Sequence, residues 1–298
     1  MSACSIILRQ ALLKGIHCQT GLTSVASPTG NPEPCGRRDT GKRLQSPSNA
    51  LLLKVNLMPN SVAMELAPTG TLRAAINLAN FLLVTGKKPN GDPDGVAPDM
   101  AAAIADDLGV DIKYVPFATP GELADAVSDD AWDIGLIGAE PARAEHIDFS
   151  AAYVEIEATY LVLENSPLKQ LEDVDQPGIR IAVSARSAYD LYLTRHLKHA
   201  ELVRAEGLDA SYELFVQEGL DALAGLKPRL LFDVETLGQA RLLEGRFTAV
   251  QQAIGTPANR KDSAAYLRLF VETAKASGLV AQLIAQHQVK GLSVAPAV

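Results

Sequence analysis

The sequence of 298 residues predicts an α/β fold made of two lobes, and two features of its hydrophobic pattern support this class. Short apolar runs alternate with stretches of helical spacing, an order typical of βαβ units and a parallel sheet. The alternation pauses at residues 147–153, passes through an extended run at 158–163 and then begins again. Two sets joined by an extended strand predict two lobes with a ligand-binding cleft between them.

The first set ends its helices and strands with clear local signals. It comprises a strand at 71–77, a Gly/Pro/Asp-rich loop at 86–93, a helix at 98–108, a strand at 111–117, a helix from 120 and a strand at 132–137. Gly109 is a typical helix stop. Thr119 and Pro120 suit the cap and first position of the next helix, and Glu122 suits a capping box.

The second set repeats the alternation. It comprises a strand at 180–183, a helix at 188–197, a strand at 201–204, a helix at 212–217 and a strand at 229–232. A further strand at 247–255 and a last helix at 263–286 follow. In that helix Tyr266, Leu267 and Phe270 recur at helical spacing.

The first 65 residues differ from the rest in composition. They carry 7 Lys/Arg against 3 Asp/Glu, all three cysteines (Cys4, Cys18, Cys35) and no aromatic residue. Such a segment buries little apolar surface, so residues 1–65 are predicted to be a disordered extension. Its apolar runs are interrupted by Arg9 and Lys14, which is unlike a signal peptide. A start at Met58 or Met64 would make the protein leaderless and cytoplasmic.

The remainder of the chain carries 20 Lys/Arg against 32 Asp/Glu. An acidic body argues against nucleic-acid binding, which needs a basic face. No run of about 18 apolar residues suggests a membrane span. The cysteine spacing matches no metal motif, and no P-loop, nucleophile elbow or zinc-protease motif occurs, so neither a metal nor a cofactor is predicted.

Several segments in order resemble one protein family. They are Gly70–Ile76, Trp132–Gly135, Arg143–Tyr153, Leu171–Val174 and Ile181–Val183. Together they are similar to the family 3 extracellular solute-binding proteins, the polar amino acid receptors of ABC importers. The resemblance covers residues 66–288.

The resemblance implies a type II periplasmic-binding-protein-like fold with two crossover strands, near 156–159 and 250–255. Lobe 1 would comprise residues 66–156 plus 253–290, and lobe 2 residues 157–252. The implied function is that of the substrate-binding component of an ABC importer, closing by hinge motion on a small anionic or zwitterionic, amino-acid-like solute. A periplasmic location, an ABC permease as partner and a monomer are implied as well.

The resemblance also nominates ligand-binding residues in lobe 1. Arg143 precedes Ser150 by the offset at which the family places the arginine that grips a ligand carboxylate, a task suited to a planar guanidinium. Ala139 and Glu140 lie in a lead-in about two residues shorter than the family's usual one. Glu140 would face the cleft or be a surface carboxylate, and Asn77 and Phe81 are expected to line the lobe 1 wall.

In lobe 2 the segment from Ser184 to Tyr189 joins a strand to a helix. Free backbone N–H groups there, with the Ser187 hydroxyl, would hold an anion, and Ser184 and Arg186 join this candidate site. Alternatively, Ser187 only caps the helix. The family's amine-binding aspartate is replaced by Leu226, so either Asp233, Glu235 or Glu140 takes its role or the ligand is not an ordinary α-amino acid.

The main alternative is an enzyme of the same fold, a dehydratase acting on a small cyclohexadienyl acid. Such an enzyme needs a general acid or base in the cleft, and Glu140 with His146 is the candidate pair. A transcription regulator would need a helix-turn-helix, which the Pro/Ser/Gly-rich leader does not supply.

Overall fold

A computed structural model describes residues 61–298. Its strands are, in chain order, β1 (Thr71–Asn77), β2 (Gly86–Lys87), β3 (Pro93–Asp94), β4 (Asp111–Phe117), β5 (Ile134–Gly138), β6 (Ile147–Leu163), β7 (Arg180–Ser184), β8 (Glu201–Ala205), β9 (Ala222–Leu226), β10 (Ala240–Leu242), β11 (Thr248–Pro257) and β12 (Ser293–Val294). Its helices are α1 (Val96–Leu108), α2 (Pro120–Asp125), α3 (Ala188–His196), α4 (Leu208–Gln217), α5 (Lys227–Leu237), α6 (Lys261–Ala276) and α7 (Leu279–Gln286).

One mixed sheet runs through the described residues in the order β4-β1-β5-β11-β6-β9-β7-β8. At one end, β1 pairs in parallel with β4 and β5, and we call this end, with α1 and α2, the first lobe. At the other end, β7 pairs in parallel with β8 and β9, and with α3 and α4 it forms the second lobe. The α/β class and the two-lobed architecture are therefore as predicted.

The long strands β6 and β11 connect the lobes. β11 pairs antiparallel with β5 at residues 252–255 and with β6 along most of its length. β6 continues past this contact to pair with β9 through Ala158–Leu161. Two adjacent strands that belong to both lobes form a natural hinge, as the predicted crossovers near 156–159 and 250–255 require.

Each half of the sheet is covered on both faces around its inner strands, of which β5 and β9 are wholly buried and β7 is buried at four of its five residues. In the first lobe, one face packs on Met100 and Ile104 of α1, and the other packs on Leu123 and Trp132. These side chains are all fully buried. In the second lobe, the corresponding faces are covered by residues that include Leu193 of α3 and Phe215 of α4.

Helix ends follow the local sequence signals. Gly109 ends α1 with a left-handed φ of 67° and donates its N–H to the carbonyl of Asp106. Thr119 caps α2 by accepting the Glu122 N–H at 3.2 Å. The Glu122 carboxylate accepts the N–H of Ala118 rather than that of Thr119, so the predicted capping box is displaced by one residue.

Three predicted elements need correction. Residues 229–232 are not a strand but lie inside α5, whose Pro228 occupies a first-turn position, and the buried strand here is β9. The single helix expected at 263–286 is two helices, because Gly278 adopts a φ of 81° between them. The two runs at 147–153 and 158–163 form one continuous strand, β6.

The predicted extension, residues 1–65, lies outside the described residues except for its last five positions. Those positions are helical, and Val62 packs in the first lobe's core together with Leu66. Glu65 accepts a hydrogen bond from the Ser263 N–H at 2.9 Å. Within residues 61–298, no helix is long and apolar enough to cross a membrane.

Candidate ligand-binding cleft

Three neighbouring cavities lie along the cleft between the lobes. The inner cavity, about 50 Å³, is lined by residues of both lobes and of β11, among them Arg143, Ser187, Leu226 and Gln252. The outer cavity, about 460 Å³, shares Ala79 and Leu208 with the inner one. The rear cavity, about 320 Å³, shares Arg143 with it.

Arg143 follows β5 and lies at the centre of the cleft. It is 6% exposed, and its Nη1 donates to the carbonyl of Gly138 at 2.6 Å while its Nη2 donates to the carbonyl of Arg186 at 2.9 Å. Among the described residues, no carboxylate forms an ion pair with it. The pKa of the guanidinium is lowered to about 10, chiefly by burial, an effect that the carboxylate of Glu140 opposes and the neighbouring Arg186 reinforces. A buried cation without a paired anion favours an anionic ligand.

The turn between β7 and α3 approaches Arg143 from the second lobe. Arg186 has a φ of 56°, a left-handed conformation that is rare for residues other than glycine. Glycine is the residue that most readily adopts this conformation. The strained residue turns its carbonyl toward the guanidinium of Arg143.

The backbone N–H groups of residues 185–187 already have partners, contrary to expectation. Ala185 donates to Ala205, Ser187 donates to Ser184, and Arg186 donates to the Asp190 carboxylate at 2.7 Å. What the turn offers the inner cavity is a set of hydroxyls from Ser184, Ser187 and Tyr189. The Ser187 Oγ accepts the Asp190 N–H at 3.1 Å and so caps α3. The predicted helix-capping role is therefore present.

Two further polar groups of the inner cavity are buried without a partner. The Gln252 Oε1 and the Tyr189 hydroxyl form no hydrogen bond of good geometry with any described residue. The Tyr189 oxygen is close enough to Ser184 and Ser187 for their hydroxyls to lower its pKa, while burial raises that pKa to about 12. Gln252 was not singled out from the sequence, where it is one of two adjacent glutamines in a strand. The position of β11 between β5 and β6 is needed to show that Gln252, and not the adjacent Gln251, faces the cleft.

The other predicted site residues are distributed over the cleft. Asn77 lines the inner cavity, and its Oδ1 accepts the Ala79 N–H at 3.1 Å. Phe81 lines the outer cavity, opposite Phe232 of the second lobe, and Arg186 lines the rear one.

Ala139, Glu140 and Asp233 line none of the three cavities. The Ala139 N–H donates to Gln251, the Glu140 carboxylate pairs with Arg195, and Asp233 pairs with Arg229 at 2.9 Å. Glu235 is exposed on α5. The acids that were considered as substitutes for the family's aspartate are thus outside the inner cavity.

Side chains from the two lobes meet directly across the cleft. Arg186 of the second lobe forms two hydrogen bonds with Asp125 of the first, at 2.9 and 2.6 Å, and Arg195 pairs with Glu140. At Gly138, a Cβ atom would lie 2.9 Å from the Cβ of Ala188 in the opposite lobe. The lobes are therefore in a closed arrangement.

One group outside the cleft has the composition of a metal site. Asp94, Asp99 and His287 offer ligand atoms within 4.8 Å of one another. The Asp99 carboxylate already accepts from Lys88 at 3.0 Å and lies 2.8 Å from the ring nitrogen of His287. These pairings account for the cluster as an ion-pair network of the first lobe.

Part of the chain is similar in sequence to a protein of known activity. The chain is 26% identical over 159 residues to a cyclohexadienyl dehydratase from Pseudomonas aeruginosa, and the match covers 52% of this chain and 59% of that protein. It therefore spans less than two thirds of the length of this curated relative.

Solved structures show the same fold at lower identity. An ancestral amino acid-binding protein, described as a precursor of cyclohexadienyl dehydratase, has a TM-score of 0.62 at 22% identity, covering 77% of this chain and 100% of that one. An amino acid ABC transporter substrate-binding protein of Streptococcus pneumoniae bound to L-arginine gives 0.60 at 18% identity, covering 76% and 98%. A histidine kinase sensor domain gives 0.64 at 17% identity, covering 76% and 98%.

The family model for bacterial extracellular solute-binding proteins, family 3, matches residues 79–290. That stretch includes most of the described chain, both crossover strands, the second lobe and all of the first lobe after β1, and it contains every lining residue of the inner cavity except Asn77. The chain belongs to the family 3 bacterial extracellular solute-binding proteins.

Proposed function

We propose that this protein is the substrate-binding component of an ABC-type importer and that its lobes close on a small solute whose carboxylate is held by Arg143. The observation that supports this most directly is a buried guanidinium at the centre of the cleft that lacks a carboxylate partner among the described residues. Two of its donors contact backbone carbonyls, and the remaining donors suit a carboxylate.

The proposal includes organisation and location. The lobes would comprise residues 66–156 plus 253–290 and residues 157–252, acting as a monomer with an ABC permease as partner. Because the family consists of extracellular proteins, export to the periplasm belongs to the same proposal. Amino-acid-binding neighbours of the same fold support a solute-binding role.

The dehydratase alternative has support from the Pseudomonas relative. Dehydration needs a general acid or base within reach of the substrate. None of the described residues that line the inner cavity is Asp, Glu, His or Lys. Glu140 is paired with Arg195, and His146 is exposed at the rear cavity. The residues that line the inner cavity therefore favour a protein that binds its ligand without catalysing a reaction.

A thermal-shift and calorimetry screen of the full chain tests the proposal. The probes are common amino acids, dicarboxylates, aromatic acids and prephenate. A compound that binds only the native state should add about 2.7 kcal/mol of stability at 100 times its Kd. Arg143→Met should abolish this shift, because it removes the charge and the fork of donors.

The matched control is Arg268→Met, which removes an exposed arginine of the first lobe and should leave the shift intact. Recovery of the compound unchanged after prolonged incubation supports a binding protein. Consumption of prephenate that depends on Glu140 or His146 would instead support the dehydratase. A shift that persists in Arg143→Met would contradict the assigned role of this residue.

A further inference from the structure

The inner cavity has an unusual charge balance for a site that would hold an amino acid. Of its 14 lining residues, Arg143 is the only one with a charged side chain. An α-ammonium group would enter this cavity beside a buried guanidinium and without a carboxylate. Because desolvating a charge without an opposite partner is costly, the lining disfavours a zwitterion.

The nearby acids are engaged elsewhere. Glu140 pairs with Arg195 across the cleft, and Asp233 is 2% exposed and accepts from Arg229 at 2.9 Å. Arg229 also pairs with Asp209 at 2.8 Å. To serve a ligand ammonium, Asp233 would have to leave its partner and cross the wall of the cavity.

That wall is apolar at the position where a carboxylate would be needed. Leu226 ends β9, is 7% exposed and lines the inner cavity with Leu208 and Val250. It is also the residue preceding α5, where its side chain makes no capping hydrogen bond. A leucine here contacts ligand carbon atoms and leaves an ammonium unsatisfied.

The polar groups of the inner cavity that still lack hydrogen-bond partners among the described residues are uncharged. Gln252 is 5% exposed, and its Oε1 has no partner among the described residues. Tyr189 is 3% exposed, and its hydroxyl likewise forms no hydrogen bond of good geometry with a described residue. Buried polar groups of this kind are normally hydrogen-bonded, so both await a ligand group that donates and accepts. A hydroxyl does both and also suits a glutamine amide turned to present its NH₂ group.

We propose that the natural ligand is a small hydroxy acid, a carboxylic acid that carries a hydroxyl group and no ammonium group. Its carboxylate pairs with Arg143, its hydroxyl bonds Gln252 and Tyr189, and its carbon skeleton lies against Leu226. This inference rests on the proposed function, since it assumes that Arg143 holds a carboxylate in the cleft.

Matched compound sets test the inference by calorimetry on the full chain. Each set shares a carbon skeleton: lactate, alanine and propanoate; malate, aspartate and succinate; phenyllactate, phenylalanine and phenylpropanoate. In at least one set the hydroxy acid should bind about tenfold or more tightly than the amino acid and the unsubstituted acid, because only the hydroxyl satisfies the buried amide.

Two variants localise the preference. Gln252→Met should weaken binding of the hydroxy acid about tenfold and leave the unsubstituted acid unchanged, because it removes the neutral partner while keeping the volume. Leu226→Asp should shift preference toward the amino acid. Aspartate is favourable at a helix N-cap, which suits this position before α5. If Leu226→Asp does not fold, Gln252→Met alone decides.

The outcomes separate this inference from the proposed function. Tighter binding of an amino acid by the wild-type protein, lost in Arg143→Met, overturns the hydroxy-acid assignment and leaves the carboxylate-binding role intact. Unchanged discrimination in Gln252→Met also overturns it. If the wild-type protein binds no member of any set, both the inference and the proposed function fail.

Discussion

Asp133 joins the first strand of the sheet to a helix from the other end of the chain. Its fully buried carboxylate accepts hydrogen bonds from Arg73 of β1 at 2.9 and 3.0 Å and from Arg260, just before α6, at 2.7 Å. Burial raises the pKa of this carboxyl, but the hydrogen bonds from the two arginines outweigh burial and the net pKa is lowered. Asp133 is therefore ionised wherever the protein is folded near neutral pH.

Asp133→Asn should lower the free energy of unfolding at pH 7 by about 3 kcal/mol, because it leaves two partly buried arginines with only the exposed carboxylate of Asp130 as an anionic partner. The folded pKa lies below the unfolded value of about 3.9, so the stabilisation is complete above that value and is lost as the pH falls through the folded pKa. The difference between wild type and variant in urea unfolding should therefore shrink below about pH 4.

Asp148→Asn is the control for this prediction. Its carboxylate is 36% exposed and lies 3.5 Å from Arg268, so its loss should cost under about 1 kcal/mol. An equal loss in the two variants, or a wild-type advantage that stays constant down to pH 3, would contradict the assigned network.

Some residues of the cleft could be identified from the sequence and others could not. Arg143 was identified because its spacing from Ser150 follows a family pattern, and it does lie centrally in the cleft. Gln252 could not be identified, because its importance comes from strand register and from an unpartnered carbonyl oxygen. Glu140 was ambiguous in sequence because its partner, Arg195, is 55 residues away in the chain.

Among the elements, α3 begins at a residue that also lines the cleft. Its cap, Ser187, accepts the Asp190 N–H at 3.1 Å and also lines the inner cavity. The sequence left open whether this residue caps the helix or contacts an anion. The capping role is present in the structure, where it uses a lone pair of the Ser187 oxygen, and contact with a ligand stays a prediction.

Ser187→Ala and Ser187→Gly should separate these roles. The alanine variant should lose about 1 kcal/mol of stability, whereas glycine at a cap costs only a few tenths. If Ser187 also contacts the ligand, both variants should weaken binding to the same degree, because both lack the hydroxyl. Thermal unfolding measures the first effect and calorimetry the second. A loss of affinity that tracks the loss of stability would mean that the residue acts on binding only through the helix.

Helix ends were predicted correctly where a capping or terminating residue coincides with the end of a run of helically spaced apolar residues. Gly109 and Thr119 both mark helix ends as expected. The run at 229–232 was wrongly assigned to a strand because four residues are too few to distinguish a period of 2 from one of 3.6. Pro228 was the relevant signal, since proline is favoured in the first turn of a helix. The sequence did not reveal that β6 is one continuous strand, because polar and apolar residues alternate between its two apolar runs. Such alternation is expected where a strand passes from the core of one lobe to the core of the other.

At the scale of the whole molecule, sequence predicted the two lobes because each set of elements contains enough apolar residues for its own core. It could not predict how the lobes meet. That contact depends on pairs distant in the chain, such as Arg186 with Asp125 and Gly138 with Ala188.

The two ion pairs across the cleft should bias the ligand-free protein toward closure. The Arg186–Asp125 pair is more than half exposed on both sides, so it contributes little alone and is screened by salt. Glu140 is only 10% exposed in its pair with Arg195, which makes this contact the less screened of the two. A closed state that is populated without ligand also reduces the cost of closing upon binding.

The double variant Asp125→Asn, Glu140→Gln should therefore open the ligand-free protein and weaken ligand binding by about threefold to tenfold. Small-angle scattering should report a larger radius of gyration for the variant than for the wild type at low salt. High salt should move the wild type toward the variant, since it screens the exposed pair. The control is Asp148→Asn, Glu218→Gln, which removes two acids that pair with other arginines within a single lobe and away from the three cavities. Identical scattering from both double variants and the wild type would show that packing around Gly138 and Arg143, rather than the ion pairs, holds the lobes together.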